Sequence, residues 1–131
     1  HSIQSISLGS SNTISGVFQG ANGTASSAAA TANYTTGSWF FGSASRDANT
    51  GTTRAYRNGT NEGTNTTTLN SPTIGRISLG ALYANIATNF YDGKVAFSAI
   101  STVVRSQNYL KTMYNLWTIS NIITKSNIES I

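Results

Sequence analysis

The side chains that could carry chemistry are few in this 131-residue chain: four acids, Asp47, Glu62, Asp92 and Glu129, and one histidine, His1. Hydrolysis of a glycoside asks for two carboxyl groups about 5–9.5 Å apart across the scissile bond. No two of the four acids stand close enough in sequence to share a strand face, so a working pair would have to converge from separate strands. A Ser-His-Asp triad would depend on His1, at the frayed end of the chain. Asp47, Asn49 and Asp92 could offer oxygens to calcium, yet Asp and Asn in turns more often bond their own backbone. There is no cysteine for a thiolate site or a disulfide, and no glycine-rich phosphate loop of the form GxxxxGK[ST] or GxGxxG. These absences point to a protein that is no enzyme and carries no cofactor.

What remains is binding chemistry. Roughly half of the residues are Ser, Thr, Asn or Gly, and only 9% are charged, so the surface is polar through hydroxyls and amides. That bias suits an extracellular or virion surface. The net charge is +4, but Arg46, Arg54, Arg57, Arg76, Lys94, Arg105, Lys111 and Lys125 are scattered singly and form no basic run interleaved with aromatics. A nucleic-acid partner is therefore not expected. No apolar run approaches the roughly 20 residues of a membrane span. The aromatics Trp39, Phe40, Phe41, Tyr56, Tyr91, Phe97, Tyr109, Tyr114 and Trp117 supply core material that a disordered chain would lack.

Short strand-like stretches punctuated by turn residues must position these groups. Ser5–Leu8 and Thr13–Phe18 predict two strands, with Gly16 as a bulge site. Asn22-Gly23 predicts a hairpin turn, Ala28–Ala32 a further strand, and Tyr34–Gly37 a turn into a strand over Ser38–Ser45. The row Trp39-Phe40-Phe41 fits a strand covered on both faces. Thr52–Arg57, the turn Asn58-Gly59 and Glu62–Leu69 complete a three-stranded meander. Alternation places Arg54 and Tyr56 on one face of its middle strand and Thr53, Ala55 and Arg57 on the other. After Pro72 come strands over Ile74–Leu79 and Phe90–Ile100, joined by a loop over Gly80–Asn89. Ser106 then caps a helix on which Leu110, Met113, Tyr114 and Trp117 recur at helical spacing. The tail 118–131 either extends that helix or docks as a strand.

The stretch Thr52–Gly59, with its Tyr-x-Asn-Gly ending, the strand start Ile74-Gly75-Arg76, and Phe90–Ile100 followed by a helix together resemble the concanavalin-A-like lectin/glucanase superfamily. Among its members the likeness is to laminin-G-like jelly-roll modules of bacterial surface and phage proteins. It covers mainly residues 38–117. It implies an all-β antiparallel β-sandwich, a jelly roll with one short C-terminal helix, forming a single domain over 1–131. Such modules carry more residues before the Trp39 strand, which implies an N-terminal truncation or completion of the sandwich by another chain. The calcium and glucanase acids of that superfamily have no counterpart among the four acids here. The expected function is non-catalytic carbohydrate binding or adhesion. The expected ligand residues are Tyr83, Asn85, Tyr91 and Asp92 from loops, joined by Arg54 and Tyr56 if their face is the concave one, with rings for stacking and amides or guanidinium for hydrogen bonds. The alternative is a structural brick of a virion or surface layer whose partners are protein chains, in a homo-oligomer or a larger assembly. A glucanase-like hydrolase ranks last.

Overall fold

Six short strands pair into two antiparallel sheets that stack face to face. The computed structural model describes residues 4–8, 13–20, 24–29, 35, 37–69, 82–83, 87–88 and 94–128, with side chains placed for 13–20, 24–29, 35, 37–69 and 94–118. In the first sheet β1 (Gln4–Leu8), β2 (Ile14–Gln19) and β3 (Ala25–Ala29) lie in sequential order. In the second, β4 (Gly42–Asp47), β5 (Thr52–Arg57) and β6 (Thr60–Thr66) do the same. β2 packs on β4 and β5, and β3 on β5 and β6, so the protein is an all-β sandwich with one helix. Every described pairing joins neighbours in sequence, and the crossovers of a jelly roll are not among them.

The inner faces follow from register. Ala44 opposes Ala55, Arg46 opposes Thr53, and Gly63 and Asn65 oppose Ala55 and Thr53 from β6. Facing them across the gap are Ile14, Gly16, Ser26 and Ala28, all buried. The expectation of an aromatic core is thus corrected. Among the described residues Tyr56 is the one buried aromatic, and the sheets meet through Ile14 and small residues, Gly, Ala, Ser and Thr. Small residues let the sheets approach more closely than the roughly 10 Å of a sandwich filled by large side chains. A Cβ at Gly16 would collide with Cβ of Ala44, and one at Gly63 with the backbone carbonyl of Ala29.

Hydroxyls inside such a core must be paired, because an unpaired buried polar group costs about 1–3 kcal/mol. Thr53 donates its hydroxyl to Ser26 Oγ at 2.8 Å, and Ser26 donates to Asn65 Oδ1 at 3.2 Å. Arg46 closes the chain from the sandwich end: Nη1 donates to Thr53 Oγ1 at 3.0 Å and to the Gly51 carbonyl at 3.1 Å, and Nη2 to the Thr67 carbonyl at 2.8 Å.

Other expectations shift in instructive ways. Gly16 is not a bulge, since the β1–β2 and β2–β3 registers run through it unbroken. The bulge lies in β6, where Glu62 is skipped between the Ala55–Gly63 and Tyr56–Asn61 pairs. The row Trp39-Phe40-Phe41 precedes β4 and is no covered strand. Trp39 is 51% exposed, and the Phe41 amide donates to Asn58 Oδ1 at 3.0 Å while Asn58 N donates back to Phe41 O at 2.8 Å. The loop expected over Gly80–Asn89 contains a small ladder, β7 (Leu82–Tyr83) with β8 (Ala87–Thr88). The strand expected over Phe90–Ile100 is absent from its described part, where 94–100 form neither helix nor strand and are exposed throughout. Asn22-Gly23 and Ile74–Leu79 lie outside the described residues, although Gly20 N donates to Thr24 O at 2.9 Å where β2 turns into β3.

The helix is long rather than short. α1 runs Gln107–Ile128, so most of the tail is helical. Ser106 caps it, its Oγ accepting from the Tyr109 amide at 3.2 Å. Leu110 is buried and Met113, Tyr114 and Trp117 are half-buried, as their spacing predicts. The helix seats on the β5–β6 turn. Asn58 and Gly59 both have positive φ, 51° and 76°, as a tight hairpin turn requires. Gly59 also lies so close to Lys111 that a Cβ would strike the helix backbone. No helix among the described residues is long and apolar enough to cross a membrane.

Candidate functional site

The residues expected to bind ligand do not assemble into one described site. Tyr83 lies in β7, and Asn85, Tyr91 and Asp92 fall outside the described residues. Arg54 and Tyr56 do share the outer face of β5. Tyr56, however, is 3% exposed, and its hydroxyl lies 3.4 Å from Ser45 Oγ, so its ring offers no face for stacking. Arg54 is half-buried and near enough to Asp47 to act on it electrostatically.

Asp47 of the calcium expectation forms a turn. Its Oδ1 accepts the Asn49 amide at 2.9 Å and the Thr50 amide at 3.4 Å, closing the β4–β5 connection. The Thr50 side chain, with these amides and the charge of Arg54, holds the Asp47 carboxyl below its ordinary value. Among the described residues no three of His, Cys, Asp and Glu cluster as metal ligands would.

Two surface features instead gather where the sandwich meets the helix. The first is a shallow recess of about 140 Å³ lined by Thr35, Ser38, Trp39, Phe40, Arg57 and Asn58. The turn that closes with Ser38 N donating to Thr35 O at 3.1 Å, with Gly37 at φ 84°, carries the chain into Trp39. The Trp39 ring sits 6.0 Å from that of Trp117, tilted by 60°. Arg57 is held by Glu62, Nε at 3.0 Å and Nη2 at 2.9 Å from the same carboxylate oxygen, so its guanidinium is oriented rather than free to swing.

The second feature is an apolar cleft of about 170 Å³ between Phe41, Phe97, Met113, Leu116 and Trp117. Phe97 and Leu116 of this cleft are more than half exposed, as are Ile100 and Val103 further along the chain, and Val95 and Val104 are nearly so. Scattered exposed apolar residues are ordinary, but a contiguous stretch of them marks an interaction surface. Lys94 and Arg105 flank this stretch in sequence and Lys111 follows in the first turns of α1; all three are exposed, with Arg105 stacked 4.8 Å over the Tyr109 ring.

Sequence reasoning placed Trp39 and Phe97 in the core and so missed them as surface groups. The available signal was the small-residue content of β3 and β4: strands of Gly, Ala and Ser cannot enclose bulky rings, which must then sit outside the sandwich.

No family model matches the chain, and no curated protein matches it. Among solved structures it is similar to a crystallised fragment, residues 221–444, of an S-layer domain-containing protein from Clostridium thermocellum, with a TM-score of 0.54 at 19% identity. The match covers 87% of this chain and 62% of that one, so the chain spans less than two thirds of its structural neighbour. At that identity the likeness shows a shared fold: the chain has the all-β architecture found in part of an S-layer domain-containing protein.

Proposed function

We propose that this chain is a non-catalytic module of a cell-surface protein and that it works by contact with another protein chain. The observation that carries this reading is the uncovered apolar stretch from Val95 to Val104, whose Phe97 lines an apolar cleft with the exposed Leu116. A patch that exposes Val, Ile, Phe and Leu together is stabilised by burial against a partner, at about 25 cal/mol per Å² removed from water. The fold shared with an S-layer domain-containing protein supports a surface setting. So does the composition, poor in charge and rich in hydroxyls and amides.

A second reading, carbohydrate binding, is favoured by the recess at Trp39. A half-exposed indole beside an oriented guanidinium, an amide and two hydroxyls can stack on a sugar and bond its hydroxyls.

The two readings separate on one comparison. The purified chain is passed over immobilised cell-surface protein and over deproteinised envelope polysaccharide, alongside Phe97→Asp and Trp39→Ala. Retention by the protein support that is lost with Phe97→Asp and kept with Trp39→Ala is the expected result. Saturable retention by the polysaccharide, lost with Trp39→Ala, overturns it in favour of the glycan reading.

A further inference from the structure

The segment 94–104 has the sequence of a strand without the bonds of one. Lys94-Val95-Ala96-Phe97-Ser98-Ala99-Ile100 sets Val95, Phe97 and Ala99 at the spacing of one strand face. Yet 94–100 form no ladder, and no described backbone group bonds to theirs. The following turn is held locally, with Ser101 Oγ accepting from the Val103 amide at 3.2 Å and from Arg105 Nε at 3.1 Å. Beside this backbone, unpaired among the described residues, lies the apolar cleft that Phe97 itself helps to line.

Charge narrows what fits. From Lys94 to Ile128 the chain holds four cations, Lys94, Arg105, Lys111 and Lys125, and no acid; Asp92 and Glu129 stand just beyond. A second copy of this chain answers poorly, since its own charge is +4 and two of its four acids are occupied, Asp47 in a turn and Glu62 with Arg57. Like-signed surfaces repel. An anionic membrane answers the charge but offers nothing to pair the backbone groups, which go unsatisfied in lipid. An extended polypeptide answers both.

Resting on the reading of this surface as a protein contact, we propose that 94–104 takes up an acidic, strand-forming segment of a different polypeptide. The two backbones pair as in β-augmentation. An apolar side chain of the partner enters the cleft between Phe97, Met113 and Trp117, and partner Asp or Glu side chains meet Lys94, Arg105 and Lys111.

The probe is a synthetic peptide of about ten residues, a usual strand length, alternating Val or Leu with Glu; its counterpart carries Lys in place of Glu. The full chain is titrated with each, and amide hydrogen exchange is read with and without peptide. The expected result is saturable binding of the acidic peptide alone, with new protection confined to amides of 95–104. Reversing the three cations together (K94E, R105E, K111E) weakens binding about tenfold or more, through the lost ion pairs and the repulsion introduced. Circular dichroism checks that this variant keeps its fold. Equal binding of the Lys peptide, or no binding of either, overturns the proposal. So does protection of 95–104 that grows with protein concentration and a dimer in sedimentation, or the same protection on vesicles containing phosphatidylserine without peptide binding. Failure of the peptide alone, with protein retention still sensitive to Phe97→Asp, removes the acidic-strand inference and leaves the protein-contact reading standing. Retention insensitive to Phe97→Asp removes both.

Discussion

At the scale of single residues, Thr53 is the hinge of the interior. It is fully buried, donates to Ser26 and accepts from Arg46, so Thr53→Val keeps the shape while leaving a guanidinium N–H and a serine hydroxyl short of a partner. The expected loss is about 1–3 kcal/mol in urea unfolding, with an unchanged m-value. Ser26 and Thr53 are 27 residues apart, and nothing local in either strand announces their bond. The turn at Asn58-Gly59 was legible because its requirement, positive φ at both positions, is local. Asp47 is legible in the same way, as an acid two residues before the amide it accepts. Its folded carboxyl lies below its ordinary value of 3.8, so it binds a proton less readily folded than unfolded. Its contribution is therefore present above that ordinary value and is lost as pH falls through the lower folded one. An NMR titration should place the Asp47 midpoint below that of an aspartate in an unstructured peptide, and Thr50→Ala should raise it.

At the scale of elements, close approach decides more than side-chain size. A Cβ on Gly63 meets the Ala29 backbone rather than a movable side chain, so Gly63→Ala should destabilise by about 1–3 kcal/mol in thermal or urea unfolding. The N-terminus of α1 gives a milder test. Ser106→Ala removes the cap on the Tyr109 amide and should cost about 1 kcal/mol. The meander β4–β6 and the buried side of the helix were readable from period and turn chemistry, because each element carries its own pattern. The aromatic row at 39–41 and the segment 94–100 were not. Both have strand composition, but a strand exists only where a neighbour pairs with it. At Phe41 the backbone bonds are taken by Asn58, and at 94–100 no described neighbour is in place.

At the scale of the whole molecule, the sandwich closes on small residues and leaves its large apolar side chains at the junction with the helix. A chain with a self-sufficient aromatic core would have nothing left to offer a partner; this one keeps Phe97, Ile100, Val103 and Leu116 in water. Of the pair expected to join the ligand residues if their face is concave, Tyr56 is buried and Arg54 half-buried. The central claim is that 94–100, which pair with no strand among the described residues, stay open in the isolated chain. Native-state amide exchange measures that directly. The amides of Val95, Phe97 and Ala99 should exchange near the rate of an unstructured peptide, while those of β5 from Thr53 to Tyr56 exchange slower by orders of magnitude. Protection at 95–99 equal to that of β5 would make this segment a core strand of the sandwich and contradict the account.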